Sequence, residues 1–379
     1  MRAALWATLL LLLPVIALAE DVTQFPGLSR QTLQLTISAP DGSTKVLEAL
    51  VVRPDGPGPF PLVLISHGTN RLAETFPAQR PEIYTNPALA FAQRGYAAVV
   101  VMRRGFGRST GPYAENIGPC DEARSYLEPS KVAAGDVLAA LSDLRNEAWV
   151  DPARVLLVGH STGGIADLAA SATNPSGILG VISFAGANGS ARPDYVCQPD
   201  RLVEAFQSFG QTARIPSLWI YSENDHFINP DLARRMFDAY TASGAPASLF
   251  VAPSWGSDGH SLIWAPDETV WWPQVRAFLA SLHLPTDIVV TLAAPAQLAP
   301  PASLDDEGRA AFGRYLQSRS YEKAFAIATN APGHWGWTFS ERTKADAESA
   351  ALKSCQKLER VCQVYAVGND LKPASEPPG

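Results

Sequence analysis

A chain of 379 residues, 46% hydrophobic and 18% charged, is long enough for a large core and a second small domain. Its formal net charge of -7, without a basic stripe, argues against nucleic acid or an anionic membrane surface as partner. Its cysteines (Cys120, Cys197, Cys355, Cys362) show no CxxC or CxH clustering, so no metal centre is expected.

Residues 1–19 read as a signal peptide. Arg2 is the only charge before Glu20, two short apolar runs follow it, and Ala17-Leu18-Ala19 is a small-x-small cleavage site. Pro14 interrupts the run, which is short for a membrane span. The expectation is a secreted or periplasmic protein with no membrane span once this segment is removed. Exported cysteines form disulfides, and sequence alone does not choose the pairing. Nearness along the chain favours Cys120 with Cys197 and Cys355 with Cys362.

Leu33, Leu35 and Ile37 alternate with polar neighbours, Asp41-Gly42 signals a turn, and residues 46–52 resume a strand, giving a hairpin. The apolar run 62–65 suits a strand buried on both faces and ends in Ser66-His67-Gly68-Thr69. Asn86-Pro87 opens a helix that Arg94-Gly95 closes. Residues 96–101 form a strand ending in Arg103-Arg104-Gly105-Phe106-Gly107. Ser130 reads as the cap of the next helix. Strands at 155–158, 180–184, 217–221 and 248–251 then alternate with helices, among them 232–240 and 270–282. This alternation predicts an α/β fold over 20–290, a doubly wound, mostly parallel sheet. Two segments, 106–128 and 187–214, are long for connections and follow strands, so they read as a cap over the carboxyl edge. A Cys120–Cys197 bond would tie them. Tyr195, Phe206 and Phe209 hint at a hydrophobic substrate, and Arg103, Arg104 and Arg108 at an acidic one.

The chemistry centres on Gly159-His160-Ser161-Thr162-Gly163. It fits G-x-S-x-G, with an apolar strand before it and a small-residue helix after it. Such a turn lifts a serine hydroxyl out of the sheet to where a base can reach it. His260, in a glycine-bearing loop after the last strand, is the candidate base. Asp225, just after the 217–221 strand, is the candidate acid, with Glu223 and Asp258 behind it. The order Ser161, Asp225, His260 is the one this turn requires. The backbone N–H groups of Thr162 and Thr69 are the candidate oxyanion donors, whereas His67 reads as a structural residue bonded to its own loop.

Residues 31–284 resemble the α/β-hydrolases, near the dienelactone-hydrolase and acyl-peptidase-like branch. The resemblance rests on His67-Gly68, Arg103-Arg104-Gly105-Phe106-Gly107, the 159–164 turn, Asp225 and His260. It implies a Ser-His-Asp hydrolase without a cofactor. Dienelactone hydrolases proper carry a cysteine nucleophile where this chain has Ser161.

Residues 291–303 are an Ala/Pro linker. Beyond it, 304–379 reads as a small α+β module: a helix at 304–316, a strand at 321–329, Trp335-Gly336-Trp337, a helix from Ser340 through Cys355 and Leu358, and a strand at 361–367. It is similar to short secreted domains with a Trp-Gly-Trp stretch. Trp335 and Trp337 read as core, with a sugar or peptide platform as the alternative.

The expected function is a secreted serine hydrolase that cleaves a small-molecule carboxylic ester through an acyl-enzyme. The alternatives are an exopeptidase or amidase acting on peptides, or a protein whose C-terminal module binds a cell-envelope ligand while the hydrolase domain is vestigial.

Overall fold

The computed structural model describes residues 25–39, 42–357 and 360–372. The signal-peptide reading, Asp41 of the hairpin turn and Leu358 lie outside the described residues.

The larger sheet has eight strands: β1 (Leu28–Ser38), β2 (Thr44–Pro54), β3 (Phe60–Ser66), β4 (Ala97–Val101), β5 (Val150–His160), β6 (Ile178–Phe184), β7 (Ser217–Ser222) and β8 (Ala247–Ala252). Their spatial order is β1-β2-β4-β3-β5-β6-β7-β8. β1 and β2 form the antiparallel hairpin, β2 pairs antiparallel with β4, and every later pairing is parallel. The central strands are buried on both faces, and successive side chains alternate between two cores. Leu62 and Leu64 of β3, with Val155 and Leu157 of β5, enter one core; Val63, Ile65, Leu156 and Val158 enter the other.

Helices α2 (Leu127–Leu144), α3 (Thr162–Ser171), α4 (Pro199–Thr212) and α5 (Pro230–Thr241) fill the first core, and α1 (Thr85–Ala92) and α6 (Trp272–Ser281) the second. A mostly parallel sheet with helices on both faces is the α/β-hydrolase architecture. Two expectations change here. Helix α2 starts three residues before Ser130, whose hydroxyl donates to the Tyr126 carbonyl at 2.7 Å instead of capping the helix. Phe206 and Phe209 of α4 belong to the main core, where Phe206 packs on Trp219, so they do not face a substrate. The apolar stripe of α4 covers the sheet, as a hydrophobic face must.

The C-terminal unit is a four-stranded antiparallel sheet of β9 (Ala324–Ala328), β10 (Trp335–Thr338), β11 (Cys362–Val367) and β12 (Asp370–Leu371), in the order β10-β9-β11-β12. Helix α7 (Asp306–Gln317) packs Phe312 and Tyr315 on one face through Phe325; α8 (Lys344–Cys355) packs Ala347 and Ala351 on the other. Gly336 explains the Trp-Gly-Trp stretch: a Cβ there would meet Cys355 N at 2.4 Å, so only glycine lets α8 lie against β10. Helix α8 begins at Lys344, not at Ser340, because the Thr343 hydroxyl accepts the Asp346 N–H at 3.0 Å. Both disulfides form as proximity suggests, Cys120–Cys197 and Cys355–Cys362.

The module is pinned to the hydrolase domain by ion pairs: Arg30–Glu322 at 2.9 Å, Arg80–Glu341 at 2.8 Å, and Arg342 with Glu48.

Candidate active site

Ser161 stands between β5 and α3 with φ 55° and ψ -119°, a left-handed conformation rare for a residue with a side chain. The residues two positions before and after it must be glycine. A Cβ on Gly159 would lie 2.4 Å from Gly163 O, and one on Gly163 would lie 2.2 Å from Ser66 O. The tight turn lets α3 pass over the strand end and presents Ser161 to a cavity of about 420 Å³ that His260 also lines. A second cavity of about 350 Å³ borders Ser161 on the side of Thr162, Asn188 and Ile228.

His260 sits on a short 3-10 helix, Gly259–Trp264, that Asp258 caps by accepting the His260 N–H at 3.0 Å. Its Nδ1 lies 3.0 and 3.1 Å from the two carboxylate oxygens of Asp225. Asp225 Oδ1 also accepts the N–H groups of Phe227 and Ile228, each at 2.8 Å, which fixes the carboxylate plane. In a neutral imidazole, Nδ1–H donates to Asp225 and leaves Nε2 as an acceptor. Phe227 stacks on the His260 ring at 4.2 Å and 12°, and the Arg71 guanidinium lies 3.5 Å from the Phe227 ring centre. The Ser161 hydroxyl makes no hydrogen bond among the described residues. Such bonds are often long in free active sites and tighten when substrate binds.

His160 is bonded away from the cavity chemistry. Its Nε2–H donates to the His260 carbonyl at 2.9 Å, and its Nδ1 accepts from Tyr84 Oη at 3.0 Å. Tyr84 Oη in turn accepts the Gly68 N–H at 2.8 Å. Burial, then the neighbouring His260 charge, pushes His160 down to about 3, so it stays neutral. This relay ties the loop carrying Thr69 to the segment carrying His260. Nothing in the spacing of Tyr84 or Phe227 marked either residue in the sequence.

The Thr69 and Thr162 hydroxyls meet at 2.7 Å, so the two loops converge beside Ser161. The Thr162 N–H belongs to the first turn of α3, where no intrahelical acceptor exists. No hydrogen bond takes the Thr69 N–H among the described residues. Arg103 braces this corner from below. It is fully buried; its N–H donates to His67 Nε2 at 3.1 Å, and its guanidinium donates to the His67 carbonyl at 2.8 Å and to Thr162 Oγ1 at 3.2 Å. Glu115 answers it with contacts of 2.6 and 3.1 Å. His67 Nδ1–H donates to Gly68 O at 2.7 Å, and burial first, with Arg103, pushes the ring well below its ordinary range.

The structure therefore brings Ser161, His260, Asp225, Thr69 and Thr162 together. It removes Arg103 and Arg104 as substrate contacts: both are buried, with Arg104 bonded to Asp136 at 2.7 Å. Arg108 lines a separate cavity with Glu48 and Arg342. Asp258 acts as a cap and Glu223 is exposed. His226 is a half-exposed partner of Asp194 at 2.8 Å. Among the described residues no cluster of His, Cys, Asp and Glu could hold a metal ion.

Residues 41–254, more than half of the chain, match the family model described as X-Pro dipeptidyl-peptidase (S15 family). No curated protein sequence matches it. Among solved structures, one from Klebsiella pneumoniae assigned as a dienelactone hydrolase aligns at 20% identity, covering 67% of this chain and 99% of that one, with a TM-score of 0.43. An esterase from Pyrococcus furiosus aligns at 16% identity over 66% of this chain and 90% of its own, TM-score 0.44. An acetyl xylan esterase from Paenibacillus sp. R4 aligns at 19% identity over 68% and 84%, TM-score 0.46.

Proposed function

Since this chain belongs to the S15 family of X-Pro dipeptidyl-peptidases, a family of hydrolases, we propose that it cleaves carboxylic esters through Ser161, His260 and Asp225. The observation that carries this reading is that His260, bonded to the buried Asp225, lines the same cavity as a serine held at φ 55°. Ser161 Oγ attacks the ester carbonyl while His260 Nε2 takes its proton. Asp225 holds the Nδ1–H tautomer and stabilises the imidazolium that forms. The oxyanion is received by the N–H groups of Thr162 and Thr69, and losing one such donor typically costs ~10²–10³ in rate. The tetrahedral intermediate collapses as His260 returns the proton to the leaving alcohol. Water then hydrolyses the acyl-Ser161 with the same base.

A second reading, dipeptide release from peptides, is favoured by the family match. It needs a carboxylate for the free α-ammonium of the substrate. The two cavities at Ser161 are lined by Arg71, Arg124 and the Glu341-paired Arg80, and their one carboxylate, Asp258, already accepts two backbone N–H groups. This electrostatic balance favours the ester. Two disulfides support an oxidising compartment, and no helix among the described residues is long and apolar enough to cross a membrane.

The test is labelling with a fluorophosphonate, mapped by mass spectrometry, beside turnover of p-nitrophenyl acetate and of Ala-Pro-p-nitroanilide. Labelling at Ser161 that disappears in His260→Ala, with the ester preferred, is expected. An unlabelled Ser161 in folded protein refutes the reading, and preference for the anilide replaces the ester by the peptide.

A further inference from the structure

A cavity of about 440 Å³ adjoins the one at Ser161, and Ser261 and Trp264 line both. It lies where the two domains meet. Trp255 and Trp264 form the hydrolase wall; Arg314, Gln317, Trp337 and Phe339 form the wall of the module. Its volume falls within the range of small-molecule sites.

Two features mark it as built for a ligand. First, its walls are aromatic and only partly buried: Trp255, Trp264 and Trp337 rest against the cores of the two units. Trp337 and Phe339 stack on each other at 5.5 Å and 28°, and Phe339 is 43% exposed, while the module's own interior is filled by Phe312, Tyr315 and Phe325. Second, two exposed polar side chains on its wall are free to reach a ligand. Arg314 and Gln317, one turn apart on the same face of α7, make no side-chain hydrogen bond or ion pair among the described residues. Neighbouring cations behave otherwise: Arg309 pairs with Asp306, and Lys323 donates to the Tyr315 and Ser318 carbonyls. The ion pairs of Arg30, Arg80 and Arg342 across the domain boundary hold the two walls in place.

We propose that this cleft binds a carbohydrate, the alcohol side of an ester whose carbonyl reaches Ser161; the linkage to catalysis rests on the serine-esterase reading above. A sugar ring presents an apolar C–H face and a rim of hydroxyls. The face stacks on flat aromatic rings, and the rim accepts from a guanidinium and an amide and donates to the amide oxygen. A plain aliphatic chain would cover Arg314 and Gln317 without pairing them, which is unfavourable.

The test uses the full chain. Tryptophan fluorescence of Ser161→Ala is titrated to ~10 mM with xylotetraose, cellotetraose and chitotetraose, tenfold above a millimolar Kd. A saturable change with one of them is expected, weakened roughly tenfold or more when Arg314→Ala and Phe339→Ala are added. In the active enzyme, Trp337→Ala and Phe339→Ala should lower kcat/KM on the O-acetylated form of that oligosaccharide by a similar factor and leave p-nitrophenyl acetate unchanged. No saturable change with any of the three, or equal loss on both esters, overturns the proposal. Turnover of p-nitrophenyl acetate with no saccharide response removes the cleft and leaves the esterase. A saccharide response in a chain that hydrolyses neither ester keeps the cleft and removes the esterase.

Discussion

Replacing Asp225 by Asn changes one atom and tests the catalytic reading at its most specific point. Asp225 Oδ1 is held by two backbone N–H groups, from Phe227 and Ile228, at 2.8 Å. An asparagine keeps those bonds only with its carbonyl oxygen in that place, so its NH₂ must occupy the Oδ2 position, 3.0 Å from His260 Nδ1. Two donors cannot face each other, and the imidazole turns to the tautomer with Nδ1 unprotonated. Nε2 then carries the hydrogen and cannot accept the Ser161 proton. A wrong tautomer in a triad of this kind reduces kcat by ~10⁴, or ~5.5 kcal/mol of transition-state stabilisation. The assay is p-nitrophenyl acetate hydrolysis at pH 7 to 8, with a thermal melt to show that the isosteric variant folds. A folded Asp225→Asn that keeps kcat within tenfold of the parent would refute the assignment of Asp225 and point to another orienting group for His260.

Arg103→Met should leave Glu115 buried without its partner and destabilise the fold by about 3–5 kcal/mol, read by urea denaturation, whereas Glu115→Gln should lose less and keep the brace on His67. Equal stability of Arg103→Met and the parent would contradict a structural role for the pair. Cys120→Ser with Cys197→Ser opens a loop of 77 residues, for an expected loss of about 2–4 kcal/mol in urea denaturation; unchanged stability would refute the tie. Asp167, buried and bonded by Ser66 at 2.6 Å, is pushed up to about 8 by burial. Between its ordinary 3.8 and that value the unfolded chain binds fewer protons than the folded one, so stability falls as pH rises. Asp167→Asn should flatten the melting temperature between pH 5 and 8, and identical slopes for variant and parent would refute the buried proton.

The local pattern in the sequence carried the α/β alternation. Strands such as 62–65 and 155–158 are apolar at every position, which requires cover on both faces, and the structure supplies it. Gly159 and Gly163 were legible because the turn excludes a Cβ by contacts within a few residues or with the adjacent strand. Ser161, Asp225 and His260 were chosen together because each follows a strand of the sheet, and the structure brings the Asp225 carboxylate to His260 Nδ1. Ser130 and Ser340 misled because a hydroxyl caps a helix only from an extended residue just before the first turn, a backbone state that residue identity does not report. Arg103 and Arg104 looked like free charges because their partners, Glu115 and Asp136, come from separate elements. Phe206 and Phe209 looked like pocket residues because a loop position does not reveal an amphipathic helix that closes over the sheet. The cleft shared by Trp264 and Trp337 joins residues far apart in the chain. Only the packing of the module against the hydrolase domain, fixed by long-range ion pairs, decides that these rings face one another across a cavity.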